Sequence, residues 1–351
     1  MDGNYRAKYN KYKLKYLQTQ KMGKIQMGKT QKGGADIVLE PATQQFITGM
    51  ANSNLKPFPE LGPVESRGIL DKLQENYSGN TTVTQSKIED INIDYAYPYS
   101  IRVVKPQNAN GKLPVVIYYH GGGWILGNKQ THDNLIRQIS SKANVVVVFV
   151  NYTPSPEAHY KPIMDQSYDA VEYVVKNHEK LGVDIENLFI AGDSAGGQIA
   201  IAMNIIARDK GIKVKGQMFF YPVTDGSMGS ESQSQFADGP WLTRDSMIWF
   251  WNAYVPNEDE RSNYIVSPIN ATKEELSGLP CTLLITDEND ILRDEGEQFG
   301  RNLISAGVTV TAVRYIATMH DFMMLNALAK TPATCSAIDL VVHFIMQKTK
   351  K

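Results

Sequence analysis

The chain has 351 residues, 42% apolar and 21% charged, with a net charge of −1 at pH 7. That balance fits a soluble globular body with ample core and gives the chain as a whole no specific nucleic-acid partner. Two cysteines, Cys281 and Cys335, exclude a disulfide framework and suit a reducing, cytoplasmic or intracellular setting; no apolar run reaches membrane-spanning length, and residues 1–34 are too polar for a secretory signal.

The mean charge hides an asymmetry. Residues 1–34 hold nine Lys/Arg and one Asp, while the remainder holds 27 basic and 36 acidic residues. Tyr5, Tyr9, Tyr12 and Tyr16 recur at near-helical spacing with lysines between them. An amphipathic basic helix has that pattern, but the composition predicts a disordered Lys-rich tail in isolation. Either form gives a basic arm suited to an acidic partner. Gly23 to Thr30 matches the phosphate-loop letters G-x-x-x-x-G-K-[ST]. A phosphate loop needs a buried strand before it and an apolar helix after it, and polar residues stand on both sides here, so nucleotide binding is not expected. The arm closes on Gly33-Gly34-Ala35. Its Lys-Tyr-Lys-Leu-Lys-Tyr-Leu run before a double glycine resembles N-terminal segments of some virion proteins of giant DNA viruses. That resemblance implies packaging with a virion component and processing after Gly34.

From residue 35 the pattern is that of one α/β body. Residues 36–80 read as helical pieces broken by Pro57, Pro59 and Pro63. Ile88–Tyr97 and Tyr99–Val104 read as a hairpin turning near Pro98. Leu113–Tyr119 is a buried strand that runs into His120-Gly121-Gly122-Gly123-Trp124. A helix over about 131–143, a strand at 145–150 and a helix over 162–180 lead to the apolar run 187–191. Beyond lie a helix, a strand at 216–221, a strandless aromatic segment at 223–278, and a strand at 281–286. A helix over 294–306, a strand at 309–315 and a last helix near 333–347 complete the chain. Strands alternating with helices of this length predict a mostly parallel twisted sheet flanked by helices. The segments 36–80 and 223–278 are expected to form a helical lid over the carboxyl ends of the strands.

Gly192-Asp193-Ser194-Ala195-Gly196-Gly197 sits between the run 187–191 and the helix former-rich stretch from Gln198 onward. Strand, tight turn, helix is the context in which G-x-S-x-G lifts a serine hydroxyl into the open. A serine is a weak nucleophile at neutral pH and needs a base with a third group to orient it. Two histidines follow, and His320, in the turn after the last strand, is the expected base; His343, inside the apolar run 338–346, reads as helix packing. The acid must follow the strand at 281–286, where Asp287, Glu288, Asp290, Asp294 and Glu295 compete and spacing does not choose. The glycines after His120 supply backbone N–H groups for a developing oxyanion, and the Ala195 N–H adds another.

His120-Gly121-Gly122-Gly123-Trp124 taken with Gly192-Asp193-Ser194-Ala195-Gly196-Gly197 resembles the hormone-sensitive-lipase-like, Gly-Asp-x-Gly branch of the α/β-hydrolases. The stretches Thr131-His132-Asp133, Tyr221–Asp225, Asp238–Thr243 and Leu292–Gly296 share the likeness. The resemblance implies an α/β-hydrolase fold and a triad of Ser194, His320 and Asp290. It assigns Gly121, Gly122 and Ala195 as oxyanion donors, with His120, Gly123 and Asp193 supporting them. It implies hydrolysis of small to medium acyl esters, with no metal and no organic cofactor. An amidase or deacetylase using the same groups, or a non-catalytic virion or binding protein on this fold, are the alternatives. Three departures stand out. Ile291 follows Asp290 where the family has Pro. Asp321 follows His320 where it has Gly, which sets a carboxylate beside the base and is expected to raise its pKa. Thr153 replaces an Arg, removing an expected ion pair in the segment ending at Glu157.

Overall fold

The structure, a computed structural model, describes residues 37–53, 55–77, 79 and 85–349. The basic arm and its phosphate-loop-like letters therefore lie outside the described residues. Among those described, eight strands form one sheet in the order β1-β2-β4-β3-β5-β6-β7-β8. They are β1 (Ser86–Ile93), β2 (Tyr99–Pro106), β3 (Leu113–Tyr119), β4 (Val146–Asn151), β5 (Val183–Asp193), β6 (Gly216–Phe220), β7 (Thr282–Asn289) and β8 (Val310–Met319). The hairpin β1–β2 is antiparallel, β2 runs antiparallel to β4, and every later pairing is parallel.

Burial follows position in the sheet. β4 is buried from Val146 to Val150 and β6 throughout, as expected of parallel strands covered on both faces. The edge strand β8 instead alternates, and Ile316 on it is 73% exposed. Helices cover the two faces because each carries an apolar stripe. On α4 (Asp133–Ala143), after three helices nearer the N-terminus described below, that stripe is Leu135, Ile136, Ile139 and Ala143. Next come α5 (Tyr160–Lys176) and the single turn α6 (His178–Leu181). The helix α7 (Ser194–Asp209) is buried almost all round, since it packs beneath both the sheet and its neighbours. Its first turn crosses β3 so closely that a Cβ on Gly196 would lie 2.1 Å from the Tyr119 carbonyl oxygen. No side chain fits there, and the glycine is a steric requirement of the crossing.

Two segments cover the carboxyl ends of the strands. One is built of α1 (Pro41–Asn52), α2 (Phe58–Leu61) and α3 (Pro63–Asn76). Each has Pro in its first turn, where a missing N–H costs nothing, so the prolines start these helices as well as break the chain between them. The other contains α8 (Glu231–Gln235), α9 (Arg244–Tyr254) and α10 (Lys273–Leu276), with 3₁₀ turns at Glu258–Ser262 and Pro268–Asn270 and no strand. They meet at Trp241, whose ring lies 5.4 Å from Phe46 and 6.4 Å from Phe58. The chain ends with α11 (Arg293–Ser305) and α12 (Pro332–Thr349) on the sheet's flanks.

The order β4-β3-β5 is the topological point that matters. Chain connections leave β3 in one direction for β4 and return on its other side as β5, which opens a crevice at the carboxyl ends of β3 and β5. The Gly-rich loop and Ser194 stand at that crevice.

One expectation requires correction. His343 is not packed in the core; it lies on the exposed face of α12, within 2.7 Å of the Gln347 side chain. A different ion pair serves the segment that ends at Glu157. Glu157 is bound on both oxygens by Arg67 of α3, at 2.8 and 2.7 Å. The same guanidinium also donates to the carbonyls of Ile125 and Ser155, so it ties the first covering segment to the Gly-rich loop.

Candidate active site

Ser194 occupies a left-handed backbone conformation, φ 52°, at the junction of β5 and α7. For a residue with a Cβ this is strained, and the tight packing of strand against helix holds it there. The consequence is a side chain raised above the sheet at the N-terminus of a 16-residue helix, whose unpaired N–H groups favour negative charge. Before it, Gly122 adopts φ 105°, and its missing Cβ would lie 2.4 Å from the Leu126 carbonyl oxygen. The carbonyl of Gly122 in turn accepts from the Leu126 N–H at 2.8 Å, closing the loop on itself.

Behind the loop lies a buried polar frame. Asp193 accepts a hydrogen bond from the Tyr118 hydroxyl at 2.7 Å and faces His132 Nε2 at 3.3 Å. Burial would raise its pKa, but the contacts with His132 and Tyr118 outweigh burial and hold it low. Asp193 is thus the fixed anion under Ser194. His120 stacks on Tyr152 at 4.3 Å and on Phe149 at 5.1 Å, and its Nδ1 donates to the Gly121 carbonyl at 2.8 Å. Burial, reinforced by neighbouring His132, lowers its pKa to about 3, so the ring is neutral and acts as a spacer beneath the glycines. Gly123 meets the ring of Phe250 from α9. His120, Gly123 and Asp193 all stand in this frame.

At the other corner, Asp290 follows β7 and His320 follows β8. The two strands are adjacent, and their pairing shifts between Asp287 and Asn289, where β8 has extra residues. That bulge carries the chain at His320 over toward Ser194. His320 Nδ1 donates to Asp290 at 2.7 Å, and Nε2 lies 2.8 Å from Ser194 Oγ. Burial disfavours charge on this ring, but Asp290 and Asp321 overcome it and lift the pKa to about 9. The edge of His320 meets the ring of Tyr221 at 5.0 Å.

The structure also separates the five competing carboxyls. Glu288 accepts the Ala317 N–H at 2.7 Å and so pins the β8 bulge. Asp294 accepts the Ser232 N–H at 2.8 Å and pairs with Arg293. Glu295 accepts the N–H groups of Thr224 and Asp225, at 2.8 and 3.1 Å, and burial pushes its pKa up to about 8. Asp287 is fully buried, and neither of its oxygens has a hydrogen-bond partner among the described residues. Burial, with Asp290 and Asp321 nearby, drives its pKa well up. Of the five, Asp290 is the one hydrogen-bonded to His320. Donor atoms of Asp287, Asp290 and His320 lie within 4.8 Å of one another, a grouping that can hold a metal ion, but the imidazole is committed to Asp290 and Ser194.

The pocket above these groups has a volume of about 530 Å³ including its open mouth. Its walls are mostly apolar, with Phe58, Leu70, Leu126, Leu242, Met247 and Phe250 among them. Sequence reading passed over three contributors. Tyr118 shares a strand face with His120 two residues on, and that alternation was its one signal. Trp241 lines the pocket from the aromatic segment, where spacing does not separate site from core. Arg67 has no local signal at all, since its partners lie far along the chain.

A serine on a strained strand-to-helix turn, an imidazole and carboxylate in hydrogen-bonded series, and a glycine loop beside them define a serine hydrolase. Residues 116–324 match the family model described as alpha/beta hydrolase fold, and the chain belongs to that family, in its hormone-sensitive-lipase-like branch. The chain is 36% identical over 349 residues to a putative alpha/beta hydrolase, R526, of Acanthamoeba polyphaga mimivirus, covering 99% of this chain and 98% of that one. It is 37% identical over 242 residues to Carboxylesterase NlhH of Mycobacterium tuberculosis, covering 68% of this chain and 74% of the relative. A solved structure of a thermostable esterase from Pseudomonas putida matches with a TM-score of 0.86 at 36% identity, covering 90% of this chain and 99% of that one. These relatives support carboxylic ester hydrolysis and do not favour a non-catalytic role. Among the described residues no helix is long and apolar enough to cross a membrane.

Proposed function

We propose that the protein hydrolyses small to medium acyl esters through an acyl-enzyme formed on Ser194. Neutral His320 accepts the Ser194 proton as Oγ bonds to the ester carbonyl carbon. Asp290 holds the ring with Nε2 toward Ser194 and stabilises the imidazolium that forms. The backbone N–H groups of Gly121, Gly122 and Ala195 receive the oxyanion. His320 then gives its proton to the departing alkoxide, and a water deprotonated by the same nitrogen releases the acid. No metal or organic cofactor enters these steps.

The observation that carries this reading is the unbroken series Asp290–His320–Ser194, at 2.7 and 2.8 Å, opening into an apolar pocket. The mostly apolar pocket walls support an acyl group as the bound part of the substrate. The segments 36–80 and 223–278, joined at Trp241, act as the lid, and residues 35–351 are one catalytic body. The arm, 1–34, docks on an acidic partner or a virion component. Its charge supports this.

The test is a fluorophosphonate probe together with p-nitrophenyl esters from acetate to palmitate. Labelling of Ser194 and a kcat/KM maximum among the short and medium chains are expected. No labelling and no turnover of any ester would end the proposal. Deleting 1–34 is expected to spare hydrolysis and abolish co-purification with virions.

A further inference from the structure

One charged side chain in the pocket has no task in the scheme above. Asp321 follows His320, lines the pocket, and is only 8% exposed. Its backbone is left-handed, φ 68°, a conformation that suits glycine. Trp241, itself at φ 80°, donates its indole N–H to Oδ2 at 2.9 Å. Oδ1 is then turned toward His320 and lies 3.5 Å from Nε2, with no hydrogen-bond partner among the described residues.

Resting on the triad reading, we propose that Asp321 is a positioning residue for His320: its carboxylate, oriented by the Trp241 indole, holds the proton on Nε2 and so sets the pH range in which Ser194 is activated. Nε2 is the nitrogen that must be bare to take the Ser194 proton. An acceptor on that side favours the imidazolium just as Asp290 does on the Nδ1 side. The proton must first leave Nε2 for solvent, and only then does the Ser194 hydroxyl donate there.

The surroundings leave the two carboxylates unopposed. Asp290 faces the ring from the end of β7, with buried Asp287 behind it; Asp193 lies below at the end of β5; the Tyr221 ring closes the β6 side. No Lys or Arg is among the pocket residues described. Burial alone would depress the His320 pKa, yet the neighbours raise it to about 9. Burial also raises the Asp321 carboxyl, against the pull of His320, so its influence fades in acid. The sign follows. The base works as neutral imidazole, so kcat/KM rises with pH toward about 9, and removing the Asp321 charge moves that rise to lower pH.

The experiment is kcat/KM for an uncharged butyrate ester, followed by acid release from pH 5.5 to 10. Wild type is compared with Asp321→Asn, Asp321→Gly and Trp241→Phe. Glycine suits the backbone and Asn keeps the volume; the two share only the loss of charge. The acidic limb is expected to move down by about one pH unit or more in both, which is about a tenfold gain at pH 7 relative to each enzyme's own plateau. Trp241→Phe, which frees the carboxylate to turn away, is expected to shift it less, in the same direction. A limb unmoved in both Asp321 variants overturns the proposal. If neither Asp321 variant folds, Trp241→Phe decides: an acidic limb moved to lower pH supports the proposal, and an unmoved limb overturns it. A wild type that neither labels nor turns over at any pH would instead remove the triad reading beneath it.

Discussion

The two corners of the site are built differently. At the ends of β3 and β5 the working parts are main chain: glycines, a strained serine, and a helix N-terminus, held by contacts no side chain can enter. At the ends of β7 and β8 the working parts are side chains. One imidazole stands among Asp287, Asp290 and Asp321, and local packing decides which of them it binds. The first corner tolerates almost no change of shape. The second is set by charge, since three carboxylates surround one imidazole.

Substitutions that separate the corners follow from this. The largest effect is expected for Ser194→Ala, a loss of about 10⁶ in kcat with probe labelling abolished and the circular dichroism unchanged. Asp290→Asn is expected to cost about 10⁴ in kcat, through the wrong imidazole tautomer. Asp287→Asn in parallel is expected to cost under about tenfold, because its buried, unpartnered carboxyl already favours the neutral form. Reversed results from that pair would move the acid of the triad by one turn of chain. Gly122→Ala is expected to lower kcat by roughly 10²–10³, as loss of an oxyanion donor does, since the loop must shift to admit the Cβ. A near-normal rate in that variant would show that shape does not limit the first corner.

Smaller effects test the frame. Arg67→Met removes four hydrogen bonds from the first covering segment, one to Ile125 beside the Gly-rich loop, one to Ser155 and two to Glu157. Glu157 is half exposed, so solvent screening leaves only about 1 kcal/mol. A fall of about 2 °C in Tm with a raised KM is the expected result, and an unchanged KM would disconnect Arg67 from the lid. The smallest is Glu295→Gln. Glu295 keeps its proton to about pH 8 in the folded chain but loses it in the usual carboxylate range when unfolded. Stability therefore falls as pH rises from about 4.5 to 8, and denaturant titrations of Glu295→Gln should lose that part of the slope.

Residue letters reached the first corner almost completely. The glycine pattern around Ser194 and after His120 is demanded by close approach, and close approach leaves its mark on composition. The strand periods also foretold the sheet, although β5 begins at Val183, ahead of its apolar run, paired there with Leu113, and β8 continues past Tyr315 through a bulge to Met319. Reading by spacing stopped at the acid, where five carboxyls stood in nine residues and only the resemblance pointed to Asp290. It misplaced His343, since an apolar run in a helix does not say which side faces out. It missed the Arg67–Glu157 pair, whose partners are 90 residues apart.

By itself the chain determined that a serine would stand at a strand-to-helix turn beside a glycine loop, because steric exclusion is local and admits one residue type. Only the tertiary structure shows which carboxylate is hydrogen-bonded to His320, that Trp241 orients Asp321, and what anchors the covering helices. Those choices depend on charges brought together from distant segments, and Coulomb attraction and burial have no fixed spacing along a chain.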